Sequence, residues 1–190
     1  MALLVWLIRI LDLINEWVGR VVSWLTVTMV ITVFVVVVLR YGFSLGWIWM
    51  QEVYVWMHGA LFMLAAGYTL LYNGHVRIDL IYRTASRRYK AIIDFFGSII
   101  FLLPLMWLTF EKSVPMAERS FSRLESSPEA GGMPGLFVMK AVIPIFCILF
   151  ALQGFSLMLR SLLSFFGIEV EPDYADDKNE NGAAVEGAVE

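Results

Sequence analysis

The run Val21–Leu39 constrains the fold more than any other feature of this sequence. It contains 19 residues, none of them charged, and it is rich in Val, Ile and Thr. A helix needs about 20 apolar residues to cross the hydrocarbon core of a bilayer, so the run is long enough. In water its β-branched residues would favour a strand, but an isolated strand in lipid leaves its backbone groups without hydrogen bonds. The run therefore predicts a membrane-spanning helix.

Three further apolar runs have the length of a span, at about residues 53–72, 91–110 and 141–159. The composition agrees, because 59% of the residues are hydrophobic and 16% charged, against about 25% charged in a typical soluble domain. The Pro- and Gly-rich stretch 111–135 is expected to be a loop in which a continuous helix is not formed. The sequence thus predicts an all-α integral membrane protein, with four transmembrane helices forming one membrane domain over residues 21–166.

The two ends of the chain differ from this domain in their charge patterns. Residues 1–20 carry charges every three or four positions, at Arg9, Asp12, Glu16 and Arg20. On a helix these cover about 80° of arc, which favours an amphipathic helix lying in the membrane interface, with pairs Arg9–Asp12 and Glu16–Arg20. The alternative is a long first spanning helix that begins outside the bilayer. Residues 167–190 are too acidic to bury a core, with eight acids and one base after position 168, and a disordered tail is expected.

The distribution of basic residues predicts the orientation. With four spans, both termini and the loop between the second and third spans share one side of the membrane. That side carries nine Lys and Arg residues, and the other side carries five. Because the more basic side is normally cytoplasmic, both termini are expected in the cytoplasm.

Polar residues cluster at the two ends of the second span, within the stretch 51–82. At the outer end Glu52 could pair with Lys140, and at the inner end Asp79 could pair with His75 or Arg77. The inner cluster leads into a juxtamembrane loop with five basic residues, which is not arranged as a nucleic-acid-binding face. The candidate structural or partner-contact residues are Arg40, Gln51, Glu52, His75, Arg77, Asp79 and Lys140.

The sequence contains neither the phosphate-binding motif G-x-x-x-x-G-K-[ST] nor the zinc-protease motif H-E-x-x-H. We therefore expect neither an enzyme nor a bound metal or cofactor. A single cysteine, Cys147, cannot form an intramolecular disulfide, and its place in an apolar run indicates a buried hydrophobic residue.

The two histidines raise the alternative of a membrane anchor or cytochrome-like subunit of a redox complex. His58 and His75 belong to one predicted helix, about 25 Å apart along its axis, so they cannot ligate both faces of one haem. His58 is expected to be buried and bonded to a neighbouring helix. A Soret band in the visible absorption spectrum would favour the redox alternative.

Several short segments together resemble the small membrane subunit, of the DctQ type, of tripartite ATP-independent periplasmic (TRAP) transporters. They are RYGF (40–43), QE (51–52), AAGYTLLYNGHVRIDLIY (65–82), GGMP (131–134), Lys140 with IP (143–144) and LQG (152–154). The resemblance covers roughly residues 20–165.

The resemblance implies a transport complex in the inner membrane of a bacterium. In such a complex a periplasmic binding protein delivers an organic acid, a large multi-span membrane subunit moves it, and a sodium gradient drives uptake. The small subunit is then a static scaffold surrounded by membrane lipids. The combination of GHVRIDLIY with ESSPEAGGMP is similar to the branch that serves keto acids, lactate or related carboxylates.

Overall fold

The computed structural model describes residues 2–75, 86–168 and 170, and it is helical over most of this length. A helix forms wherever the sequence offers an apolar run, because in lipid only helical backbone satisfies its own hydrogen bonds. The helices are α1 (Ala2–Gly42), α2 (Ile48–Leu64), α3 (Ala66–Leu71), α4 (Arg87–Gly97), a π-helical turn (Ser98–Leu102), α5 (Leu103–Ser122) and α6 (Leu136–Phe165).

Within the described part of the chain, three helical runs are long and apolar enough to cross a membrane. They are Ala2–Gly42, Arg88–Ser122 and Leu136–Phe165. The predicted second span corresponds to α2 and α3, which have 17 and 6 residues and are separated at Ala65. The all-helical prediction is confirmed for these runs, whereas the count of four spans stays a prediction.

Helix α1 continues as one helix of 41 residues through residue 20, the predicted end of the interfacial helix. The reason is visible in its buried face, which is formed by Ile8, Leu11, Asn15, Gly19 and Val22. These residues recur at spacings of three and four, so one buried stripe crosses the predicted boundary and continues as far as Val22. The continuous helix agrees with the alternative of a long first helix, and the placement of residues 2–20 in the membrane interface stays a prediction.

The loop predicted over 111–135 is also partly wrong, because α5 continues to Ser122 with Pro115 inside it. A proline within a helix costs about 3 kcal/mol, mainly through one lost backbone hydrogen bond and a steric clash. The buried residues Met106, Ser113 and Ser120 recur every seven positions on both sides of Pro115. Packing of this continuous face against α6 offsets the local cost, and only residues 123–135 form the connecting loop.

Helix α6 is the central element of the bundle, since α1, α2, α3, α4 and α5 all pack against it. One buried cluster, Ile8 with Leu159 and Leu163, joins the start of α1 to the end of α6. The two helices therefore run antiparallel with the first residues of one beside the last residues of the other. This arrangement brings the polar side chains of α1 to the inward face of α6.

Candidate functional site: two polar clusters that join the helices

Asp12 is the centre of a polar cluster between α1 and α6. Its carboxylate accepts hydrogen bonds from Gln153 Nε2 at 3.0 Å and from Ser156 Oγ at 2.7 Å. It also accepts a bond from the guanidinium of Arg160, with which it forms an ion pair. The three donors follow each other at spacings of three and four, so they share one face of α6. We call Asp12, Gln153, Ser156 and Arg160 the Asp12 cluster.

The members of the Asp12 cluster are deeply buried for charged and polar groups. Gln153 is 1% exposed and Ser156 is fully buried, while the side chains of Arg160 and Asp12 are 17% and 13% exposed. A carboxylate in such surroundings is tolerated only when it is paired and hydrogen-bonded. Here one carboxylate meets three donors from one helix, so the cluster fixes the position of α1 along α6.

A close helix contact lies one turn further along α1, at Asn15. Its Nδ2 donates to Leu11 O at 3.3 Å, and its Oδ1 has no hydrogen-bond partner among the described residues. Gly67 of α3 lies against this oxygen, since a Cβ added at Gly67 would come within 2.0 Å of Oδ1 and 3.3 Å of Leu149 O. The absence of a side chain at Gly67 therefore permits α1, α3 and α6 to meet.

A second carboxylate of α1 reaches the end of α3. Glu16 Oε1 accepts from Arg20 Nε at 2.6 Å and from Tyr72 Oη at 2.9 Å. The predicted Glu16–Arg20 pair is confirmed, and the bond to Tyr72 adds a link between two helices that sequence spacing does not reveal.

Glu52 of α2 is the centre of the other polar cluster, at the opposite end of the bundle. Ser127 Oγ donates to one carboxylate oxygen, and the backbone N–H of Met133 donates to the other at 2.5 Å. The loop is closed on itself by the bond from Ser127 N to Met133 O at 3.1 Å. We call Glu52, Ser127 and Met133 the Glu52 cluster; it pins the α5–α6 loop onto α2.

The expected pairing of Glu52 with Lys140 is wrong. Lys140 Nζ instead lies 2.5 Å from Glu125 Oε2, within the loop that Glu52 holds. This ammonium group, by its hydrogen bond, lowers the pKa of Glu125 below its usual range. Lys140 meets Glu125 only when the loop folds back onto the start of α6. Linear sequence does not show this fold, so it did not reveal Glu125 as the partner of Lys140.

The other candidate residues that the structure describes are not members of the two clusters. Arg40 is exposed in the last turn of α1, where a cation is favourable at the carboxyl end of a helix. Gln51 is half-buried on α2, next to Glu52. Arg77 and Asp79 lie outside the described residues, and the predicted inner pairs that involve them lie outside as well.

The two histidines lie in different surroundings. The ring nitrogen Nε2 of His75 lies 3.2 Å from Ala66 O, and the ring meets Phe150 edge-on with 5.6 Å between centroids. His58 is exposed on α2, so the expectation that it is buried is wrong. Its position on an apolar helix gave no indication of which face it occupies.

Sequence reasoning missed the Asp12 cluster, although the chain carried a signal for it. Gln153, Ser156 and Arg160 are polar residues on one face of an otherwise apolar helix, which is where a buried polar partner is needed. Which acid would reach this face could not be read from spacing, because Asp12 lies 141 positions before Gln153.

The chain was compared with protein families, curated proteins and solved structures. The family described as "Tripartite ATP-independent periplasmic transporters, DctQ component" matches residues 29–164. This chain belongs to that family. The recognition made from the short segments is therefore confirmed. No curated protein and no solved structure matches the chain.

Membership of the DctQ family makes this chain the small membrane component of a TRAP transporter. The family is a component of a transporter and not a family of enzymes, so the alternative of a redox-complex anchor is not favoured. The matched region contains the whole Glu52 cluster and the α6 half of the Asp12 cluster, whereas Asp12 itself precedes it. The first 28 residues are thus tied to the DctQ region by the Asp12 cluster.

Proposed function

We propose that this DctQ component is a static scaffold that braces the large multi-span membrane subunit of its transporter. A periplasmic binding protein delivers an organic acid, and a sodium gradient drives its uptake through the large subunit. The chain lies in the bacterial inner membrane among its lipids, crosses it four times, and has both termini in the cytoplasm. The small subunit itself carries no substrate.

The observation that supports this proposal is that the buried carboxylates bind other helices and loops of the same chain. Asp12 is bound by three donors of α6, and Glu52 is bound by two groups of the α5–α6 loop. A transport path needs polar groups that face a ligand or water, and their arrangement must change during the cycle. Both clusters instead connect helices of this chain, which supports a rigid body rather than a moving one.

The exposed surface supports an assembly within the membrane. Large apolar side chains are exposed along α1 and along the run from α4 to α5, among them Phe34, Phe101 and Trp107 at 66%, 73% and 71%. In a water-soluble monomer a surface of this size would be unusual, and it requires lipid or a membrane partner. The candidate contact residues Arg40, Gln51, His75, Arg77 and Asp79 are proposed to lie at the edges of that partner contact.

The proposal is tested by reconstituting the large subunit in liposomes with and without this chain. With binding protein and a labelled carboxylate outside, we expect sodium-gradient-driven uptake only when both membrane subunits are present. Replacing the sodium gradient by a potassium gradient is the control for the coupling ion. Equal uptake without this chain would contradict a scaffold role, and so would a small subunit that elutes alone from mild detergent in the presence of the large one.

A further inference from the structure

Two side-chain carbonyl oxygens at the contact between α1 and α6 lack a hydrogen-bond donor. They are Asn15 Oδ1 and Gln153 Oε1, and neither meets a donor within the part of the chain that the structure describes. Both side chains are only 1% exposed, so bulk solvent does not reach them. A buried carbonyl oxygen destabilises the folded state unless a donor replaces the hydrogen bonds that it made in water.

The orientation of both amide groups is fixed by their nitrogen atoms. Gln153 Nε2 donates to Asp12 Oδ1 at 3.0 Å, and Asn15 Nδ2 donates to Leu11 O at 3.3 Å. The carboxylate of Asp12 and the carbonyl of Leu11 can only accept, so turning either amide over would place two oxygens against each other. The carbonyl oxygens therefore point away from these acceptors and need a donor of their own.

The two oxygens belong to the same section of the contact between α1 and α6. Asp12 and Asn15 are three residues apart on α1, and Leu149 and Gln153 are four apart on α6, so each pair shares one face of its helix. Gln153 bonds to Asp12, while Leu149 O and Asn15 Oδ1 both lie beside Gly67. The two rows thus lie side by side, and the oxygens fall within about one helical turn of each other.

Gly67 satisfies Asn15 Oδ1 only in part. The Cα–H group of this glycine faces the oxygen, since a Cβ added at Gly67 would lie 2.0 Å from it. A Cα–H···O contact is weaker than an N–H···O hydrogen bond, and a carbonyl oxygen has two lone pairs. Acceptor positions therefore remain on Asn15 as well as on Gln153.

The charges of the Asp12 cluster favour a neutral ligand for these oxygens. Asp12 and Arg160 form an ion pair beside them, so the site has no net charge. A cation would be repelled by the Arg160 guanidinium, and it would find two carbonyl oxygens where Ca²⁺ or Mg²⁺ takes about six ligands. A water molecule is neutral and has two donors, one for each oxygen.

We propose that the contact between α1 and α6 beside Asp12 is a binding site for buried water, which donates to Asn15 Oδ1 and Gln153 Oε1. The apolar cluster of Ile8, Leu159 and Leu163 lies further along the same contact and offers water no polar side chain. Water thus solvates one defined section of the contact and completes the hydrogen bonds of the amide that binds Asp12. The inference concerns this chain alone and does not depend on the proposed function.

The test is X-ray hydroxyl-radical footprinting of the full chain in detergent micelles, read out by mass spectrometry. X-rays form hydroxyl radicals from bound water, and these radicals oxidise the nearest side chains. Leu11 and Leu149 are close to the two amides and are 7% and 9% exposed, and Leu159 of the apolar cluster is the matched control at 8%. We expect Leu11 and Leu149 to be oxidised several-fold faster than Leu159.

The variant Asn15→Leu removes one of the two acceptors with a side chain of similar shape. We expect the oxidation of Leu11 and Leu149 to fall toward the rate of Leu159, while the helix content by circular dichroism is unchanged. Unchanged oxidation in this variant overturns the proposal.

The comparison of the three leucines in the wild-type protein also stands without the variant. Equal oxidation rates of Leu11, Leu149 and Leu159 overturn the proposal. Repeating the measurement without sodium must leave the rates unchanged. Faster oxidation of Leu11 and Leu149 in sodium-free buffer would assign the two oxygens to a cation, and the water site would be wrong.

Discussion

The Asp12 cluster and the Glu52 cluster perform similar tasks with different chemistry. In the Asp12 cluster a carboxylate from one helix meets three side-chain donors of another helix, and all members are buried or nearly so. In the Glu52 cluster a carboxylate from a helix holds a loop through one hydroxyl and one backbone N–H, beside the more exposed pair Glu125–Lys140.

This difference shows how burial changes the free-energy cost of removing one partner of an ion pair. A buried ion pair that loses one partner leaves an uncompensated charge in a low-dielectric interior, which costs several kcal/mol. An exposed pair is screened by water and salt, and its loss costs little. We therefore expect the Asp12 cluster to control the stability of the whole bundle and the Glu52 cluster to control mainly the loop.

The largest effect is expected from Asp12→Ala. The substitution leaves the Arg160 guanidinium buried without its carboxylate, and it removes the acceptor of Gln153 and Ser156. We expect a loss of about 3–5 kcal/mol in the free energy of unfolding, measured in detergent micelles. The control is Glu111→Ala, which removes the exposed pair with Lys112 and should cost about 0–1 kcal/mol. Equal stability of the two variants would show that burial does not raise the cost of losing an ion pair in this protein.

Gly67→Ala should have the next largest effect, because the added methyl group would overlap Asn15 Oδ1. We expect a loss of about 1–3 kcal/mol from overpacking at the meeting point of α1, α3 and α6. Gly97→Ala is the matched control, since no atom of the part of the chain that the structure describes lies within 4 Å of its Cβ position. Alanine there should stabilise the helix by about 0.5–1 kcal/mol. Thermal unfolding of both variants tests whether the melting temperature falls for Gly67→Ala and rises for Gly97→Ala. A Gly67→Ala protein as stable as the wild type would show that the three helices are less closely packed at this point.

Glu52→Ala should act on the loop more than on the bundle. It removes the acceptor for Ser127 Oγ and for the Met133 N–H, with an expected cost of about 1–3 kcal/mol. Limited proteolysis should cut within residues 123–135 faster than in the wild type, while the helix content by circular dichroism is unchanged. Glu52→Gln keeps the size but loses one acceptor oxygen, so its cleavage rate should be intermediate. An unchanged rate for Glu52→Ala would mean that the loop is held by other contacts.

The smallest effect is expected from acidification of the Glu125–Lys140 pair. Lys140 lowers the pKa of Glu125 in the folded protein, so the pair stabilises the loop above the unfolded pKa of about 4.3. This contribution is lost as the pH falls through the lower, folded pKa. We expect cleavage of the loop to increase below about pH 4, and Lys140→Met to remove that increase. Identical pH profiles for the two proteins would exclude a role for the pair.

Much of the fold followed from local patterns in the sequence. Uncharged runs predicted helices at α1, α5 and α6, because lipid leaves no other way to satisfy the backbone. The short segments around residues 40–154 predicted the DctQ family, which the match over residues 29–164 confirms. Charge spacing on α1 predicted the Glu16–Arg20 pair, since residues four apart on a helix are always neighbours.

Only the tertiary structure decided which distant groups meet. Spacing predicted a pair between Asp12 and Arg9 but gave no sign that the fold also brings Asp12 to three donors on α6. The start of the loop at residue 111 was misplaced, because the face of α5 that packs on α6 continues past Pro115 and keeps the helix intact to Ser122. The sequence by itself determined which segments are apolar enough to form membrane helices. The partner of each buried polar group depends on how helices pack, since a charge in the interior is tolerated only where another element brings it a partner.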